Sequence, residues 1–118
     1  MTSEAAVQTR TRLAHAQIGP MWRNNSGAFF DTEMKRWIRF GLGNDSKKLN
    51  KVWKSSDLYG INTDGRLIAC EVKHPDWTKP ENDRDRAQEA HINQVNACGG
   101  IGFFASSVSD FERKVLGK

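Results

Sequence analysis

Three residues carry the strongest chemical signal in this 118-residue chain: Asp57, Glu71 and Lys73. Glu71 and Lys73 close an otherwise apolar run, Arg66-Leu67-Ile68-Ala69-Cys70-Glu71-Val72-Lys73, and Asp57 stands at the head of the segment before it, Leu58-Tyr59-Gly60. Two carboxylates beside an ammonium suit metal-assisted phosphodiester hydrolysis. That reaction needs an activated water and neutralisation of the charge that builds on the phosphate oxygens. Mg²⁺ takes hard oxygen ligands from one or two carboxylates and keeps several waters. Asp57 and Glu71 would be those ligands, with the backbone carbonyl of Val72 as a further donor, and Mn²⁺ would serve as well as Mg²⁺. Lys73 would hold the attacking water or steady the pentavalent phosphate. The same spacing also fits a solvated ion pair at a strand end, and Asp57 alone fits a turn or a cap. The combination with a hairpin favours a site.

The elements that must position these groups follow from local pattern. Asp64-Gly65 between two apolar segments reads as a hairpin turn. With the strand period of two, Leu67, Ala69, Glu71 and Lys73 share one face, Ile68, Cys70 and Val72 take the other, and Asp57 falls opposite Glu71. A helix is expected from Ser3 to Gln17, stopped by Gly19-Pro20, with Glu4, Val7, Thr11, Ala14 and Ile18 on one stripe and Arg10 and Arg12 in water. Glu4 then opens the core-facing side, where a plain first-turn acid is equally favoured by the helix dipole. A first hairpin is expected from Met21-Trp22-Arg23 and Ala28-Phe29-Phe30 around Asn24-Asn25-Ser26-Gly27, and a further strand from Trp37 to Leu42. A loop beside the site spans His74 to Pro80. A helix follows from Arg84 to Cys98, capped by Asp83 or Asp85, with Gln88, His91, Ile92 and Val95 on one stripe. Ile101 to Ala105 reads as a buried strand, and Ser109-x-x-Glu112 as the capping box of a last helix. The order α-β-β-β-β-α-β-α describes a mixed α/β sheet.

Composition bounds the partners. A net charge of +4 and a pI near 9.3 fit a polyanion. Between residues 35 and 54 lie seven of the 18 basic side chains, with Asp45 as the sole acid there and Trp37, Phe40 and Trp53 interleaved. Such a stretch can track phosphates and stack on bases, or it can be a solvated loop whose aromatics face the core. Lys47, Lys48, Lys51 and Lys54 are the candidate DNA contacts in this stretch, and Arg23 is one outside it. No apolar run approaches the ~20 residues of a membrane span, the N-terminal residues lack a signal peptide's apolar core, and the two cysteines make no disulfide framework. A single cytoplasmic domain over residues 1–118, with no membrane partner, is expected. His74, His91 and Cys98 fit no usual zinc-ligand spacing.

The arrangement Ser56-Asp57 followed by Glu71-Val72-Lys73 resembles the PD-(D/E)xK nuclease signature, with serine in place of the motif's proline. Trp22-Arg23-Asn24-Asn25-x-Gly27-Ala28, Ser56-Asp57-Leu58-x-Gly60, Gly65-Arg66, Glu71-Val72-Lys73, and Gln88 followed by Gly99-Gly100 together resemble the virus-type replication-repair nuclease (VRR-NUC) domain. The likeness is spread over nearly the whole chain, and small stand-alone members of that family in bacteriophages are of similar length. It implies an α/β fold with a restriction-endonuclease-like core, a central mixed sheet flanked by helices. It also implies Asp57 and Glu71 as metal ligands, Lys73 as the catalytic lysine, Glu4 as the family's first-helix glutamate and Gln88 as its later-helix glutamine, a water- or ligand-orienting group or a structural amide. His91 stands where an apolar residue is ordinary for the family, and reads as a partly buried histidine or a DNA contact. The expected activity is a Mg²⁺- or Mn²⁺-dependent DNA endonuclease, acting as a homodimer on branched DNA such as a four-way (Holliday) junction. The alternatives are nicking of duplex or cutting of single strands by the same residues, or a non-catalytic DNA-binding module.

Overall fold

The computed structural model describes residues 3–117. Its centre is a four-stranded mixed sheet in the order β1-β4-β5-β6, formed by β1 (Met21–Arg23), β4 (Leu58–Ile61), β5 (Leu67–Val72) and β6 (Ile101–Ala105). β1 and β5 run antiparallel to β4, while β6 is parallel to β5. A parallel neighbour requires a crossover, and helix α3 (Asp83–Ala97) supplies it. The β4–β5 hairpin forms around Asp64-Gly65 as the sequence predicts, with Gly65 at φ +76°, a backbone open to glycine at little cost.

The period of two in β5 divides its side chains between the two faces. Ile68, Cys70 and Val72 are buried with Val7, Leu58, Phe103 and Phe111, under α1 (Glu4–His15) and α4 (Val108–Phe111). Ala69 packs with Tyr59 and Val95 on the face covered by α3. α3 comes so close to β6 that a Cβ on Gly102 would lie 2.8 Å from the Ile92 carbonyl oxygen. The sheet is therefore flanked by helices on both faces. The protein is mixed α/β, with its main core between β5 and the α1–α4 side.

Several local expectations need correction. The segment 24–27 is not a hairpin turn: β1 joins the main sheet, and β2 (Gly27–Asp31) pairs instead with β3 (Arg36–Phe40) in a separate two-stranded sheet. The cause is Asn24. Its side-chain nitrogen lies 3.1 Å from Leu42 O, Ser55 Oγ and Ser56 O, and its Oδ1 accepts from Leu42 N–H, so these polar groups bind distant chain rather than close a turn. Among the described residues five strands thus precede α3, with a short unanticipated helix α2 (Lys47–Asn50) capped by Ser46. Asn82, not Asp83 or Asp85, caps α3 by accepting from Asp85 N–H at 2.8 Å. Ser107, not Ser109, caps α4, and a π-helical turn follows over Glu112–Leu116. Ser3 caps α1 as expected, Val7 and Thr11 of its stripe are buried, and Arg10 and Arg12 are exposed.

On the β2–β3 hairpin, Phe29, Phe30, Trp37 and Phe40 are all largely exposed, Trp37 most of all at 67%. Phe30 and Trp37 stack edge to face at 5.8 Å. The aromatic interleaving in this part of the basic stretch therefore faces out and not into the core. Among the described residues, no helix is long and apolar enough to cross a membrane.

Candidate active site

Asp57 and Glu71 meet one step past the last β4–β5 pair, Leu58 with Cys70. They are locked reciprocally. Asp57 N–H donates to Glu71 Oε2 at 2.9 Å, and Asp57 Oδ2 accepts from Val72 N–H at 3.0 Å. Two further supports fix this strand end. Asn24 N–H donates to Asp57 O at 2.7 Å. The Tyr59 hydroxyl accepts from Ser56 N–H at 3.0 Å and lies 2.8 Å from His91 Nε2. His91 is half-buried, as expected, and burial lowers its proton affinity, which suits a neutral ring facing a hydroxyl.

Glu71 is only 3% exposed. Its pKa stands well above the ordinary carboxylate range, first because burial disfavours its charge and then because the Asp57 carboxylate lies beside it. Gln88, 2% exposed on α3, bridges the site: its Nε2 donates to Glu71 Oε1, and its Oε1 accepts from Lys73 Nζ at 2.6 Å. Lys73 lies one residue past β5, its N–H donating to Ala105 O at 2.8 Å. Its ammonium also pairs with Asp85 at 2.7 Å and stands over Trp77 and Phe104, 5.8 and 5.7 Å from their ring centres. Asp85 accepts from Trp77 Nε1 at 3.1 Å, and the hydrogen bond from Lys73 is the main reason its pKa is lowered. A chain of contacts thus runs Trp77–Asp85–Lys73–Gln88–Glu71–Asp57.

Asp57, Glu71, Lys73, Asp85 and Gln88 line one cavity of about 290 Å³ with Glu4, Val72 and Arg84. Of the candidate catalytic and metal residues, Glu4, Asp57, Glu71, Val72, Lys73 and Gln88 are all brought together there. The candidate DNA contacts divide. Lys54 lines an adjoining cavity that shares Asp57, Glu71, Arg84 and Gln88 with the first. Its proton affinity is lowered by burial, then by the charge of Arg84. Lys51 lines a separate open hollow with Lys54 and Arg84. Lys47 and Lys48 are exposed on α2, and Arg23 is exposed on β1; none of the three lines either cavity at the carboxylates.

Sequence reasoning missed Asp85, Arg84, Arg39 and Asn24. Asp85 and Arg84 lie three and four residues before Gln88, the spacing that puts side chains on one helix face, so the signal was present. The competing signal was that an acid at a helix start also reads as a cap.

The donor set fits a hard divalent cation. Among the described residues no three His, Cys, Asp or Glu side chains gather to hold a metal ion unaided, but Asp57 and Glu71 supply the one or two carboxylates that Mg²⁺ takes from protein. Burial first, and the Asp57 carboxylate second, raise the pKa of Glu71, and a divalent cation bound to the pair would favour the charged form of both. No protein-family model matches the chain, and no curated protein matches it closely enough to count as a relative.

Proposed function

We propose that this protein is a divalent-metal-dependent DNA endonuclease with a PD-(D/E)xK-type core related to the VRR-NUC domain. One observation carries the reading: Asp57 and Glu71 joined at a hairpin end, with Lys73 beyond them and Gln88 tying Lys73 to Glu71. The sheet order β1-β4-β5-β6 with the α3 crossover supports it, because one hairpin and one crossover helix bring all of these groups to the same sheet end.

Asp57 and Glu71 would hold Mg²⁺ or Mn²⁺, and Glu4 and Val72 line the same cavity. Bound there, the ion would supply an activated water and charge neutralisation on the phosphate. Lys73 contributes a positive charge beside the carboxylates, where it can steady the phosphate oxygens as negative charge develops. Its ammonium is pre-aimed by Asp85, Gln88 and the faces of Trp77 and Phe104, so little reorganisation is left for the reaction. Gln88 fixes the Glu71 carboxylate in one orientation. Exposed Trp37, Phe30, Lys47 and Lys48 extend the surface on which DNA can lie. A two-fold dimer would enlarge this small footprint and present two cleavage sites to a branched substrate such as a four-way junction.

The test is a panel of Asp57→Ala, Glu71→Ala, Lys73→Ala and Gln88→Ala, each checked for folding by circular dichroism. The first three lose metal-dependent cleavage, and Gln88→Ala loses most of it. Normal cutting by folded Asp57→Ala and Glu71→Ala would sink the assignment. Retained DNA affinity without metal binding or cleavage in the wild type would favour a binding module instead. Sedimentation velocity at micromolar concentration reads the dimer directly.

A further inference from the structure

The cavity adjoining the carboxylates, about 300 Å³ in volume, has a different chemistry from the first. Its wall carries Arg39 from β3, Lys54 from the segment before β4, and Arg84 from the first turn of α3. Among the described residues none of these three forms an ion pair, although ion pairs form elsewhere on Lys73, Arg86 and Arg113. Arg39 is nevertheless held in place. Its Nε donates to Asn44 O at 2.8 Å and its Nη2 to Asn44 Oδ1 at 2.6 Å. Asn44 is itself buried, with its side-chain nitrogen bonded to Gly27 O and Phe40 O, each at 2.9 Å. Two neutral acceptors thus aim the guanidinium without cancelling its charge, and they leave three of its five donors free. The carboxylates in the same wall, Asp57 and Glu71, are those committed to the divalent cation if the proposed function holds.

A second observation points to a ligand here. Ser56, also in this wall, is 2% exposed, and its Oγ has no hydrogen-bond partner among the described residues. Buried hydroxyls and amides are normally satisfied. Three cations from three elements, none in an ion pair among the described residues, beside a hydroxyl without a partner, make a cradle for an oxyanion with several acceptor oxygens.

We infer that this cavity is a phosphate subsite, in which Arg39, Lys54 and Arg84 bind a nucleic-acid phosphate adjacent to the one hydrolysed. Arg84 lines both cavities and so lies between the two phosphates. The subsite sets the register of the strand: it decides which phosphodiester lies over Asp57 and Glu71. The phosphate is either internal to the strand or a terminal phosphomonoester, and the two sources bind the same donors.

The first test needs neither metal nor cleavage. Fluorescence anisotropy of a labelled oligonucleotide in chelator is followed over a range of salt for wild type, Arg84→Met, Lys54→Met and Arg39→Met. Each variant weakens binding and flattens the plot of log affinity against log salt by about 0.7–0.9, the loss of one phosphate contact. Arg84 is exposed on α3, so Arg84→Met keeps the test decisive if Arg39→Met disturbs the Asn44 loop. Strands with and without a 5′-phosphate, and strands with one neutral methylphosphonate moved along the chain, separate the two sources. A single internal position at which the methylphosphonate weakens wild type but not Arg84→Met assigns an internal phosphate. A benefit of the 5′-phosphate lost in Arg84→Met assigns a terminal one. Unchanged salt slopes, or no position and no end at which wild type and Arg84→Met differ, would overturn the subsite. If the slopes fall as expected while wild type cleaves nothing under any metal, the subsite stands and the hydrolytic reading fails.

Discussion

Raising the pH should loosen the metal-free fold through Glu71. Its proton affinity in the folded chain exceeds that of an ordinary carboxyl because it is buried and faces Asp57. In the unfolded chain Glu71 reverts to a pKa of about 4.3. Above that value the folded state holds a proton that the unfolded state has released, so stability falls as pH rises, until the folded-state pKa is passed. The slope approaches about 1.4 kcal/mol per pH unit for one proton. With urea slopes of about 1–3 kcal/mol/M, the unfolding midpoint drops by roughly 0.5–1.4 M per pH unit. The assay is urea unfolding in chelator from about pH 5.5 to about pH 7.5, comparing wild type with Glu71→Gln, which cannot ionise. His15 and His91 titrate in both proteins and cancel in the difference. Any fixed cost of the glutamine shifts that difference by a constant and leaves its slope untouched. Asp57→Asn removes the second cause of the shift and reduces the slope. Added Mg²⁺ or Mn²⁺ competes with the proton, so it stabilises wild type more at the upper end of the range and releases protons as it binds. A wild-type minus Glu71→Gln difference that stays flat across the range would refute this reasoning.

Other outcomes follow from single contacts. Breaking a buried ion pair on one side costs about 3–5 kcal/mol. The Lys73–Asp85 pair lines a cavity at the surface, so Asp85→Ala is expected to cost nearer 2 kcal/mol, the range of a charged hydrogen bond. In a double-mutant cycle with Lys73→Met the losses fall short of additive by about 1–2 kcal/mol; strict additivity in urea unfolding would deny the pair any energetic role. His15 is fully buried with its Nδ1 bonded to Gly19 O and its pKa lowered by burial. Its contribution is present above about pH 6.5 and lost as pH falls, because the unfolded chain then takes up the proton. The acid loss should be smaller in His15→Met, measured as a shallower fall of the urea midpoint below about pH 6.5. Cys98 is exposed, whereas burial pushes the Cys70 thiol up, out of reach of thiolate chemistry. A thiol reagent should therefore titrate one cysteine in the native protein and two in denaturant, and rapid native labelling of both would contradict the packing of β5.

How much of this was legible in the sequence depended on the range of the interaction that decides it. The β4–β5 hairpin rests on Asp64-Gly65 and an alternation that runs without a break, so Asp57 opposite Glu71 could be read directly. Gln88 could be placed by helical spacing against Ile92 and Val95, all three of them buried. Non-local pairing could not. Asn24-Asn25-Ser26-Gly27 has turn chemistry, but Asn24 is bound to Leu42, Ser55 and Ser56, contacts that local pattern does not encode. The cap errors came from near-degenerate choices. Asn82, Asp83 and Asp85 all suit a helix start, and Ser107 precedes Asp110 by the same spacing that separates Ser109 from Glu112. Arg39 was legible only as one of many basic residues, because its value lies in being aimed by Asn44 within a wall that it shares with Lys54 and Arg84.

The most direct test of the central claim is cleavage of end-labelled four-way junction, linear duplex and single-stranded DNA, side by side, in Mg²⁺, Mn²⁺ and chelator, with Asp57→Ala in parallel. Cutting of at least one substrate in the presence of metal, absent in chelator and in folded Asp57→Ala, is the expected result, with the junction cut fastest. Cutting that persists in chelator or in the variant, or intact DNA throughout for a wild-type protein shown to be folded, would contradict it.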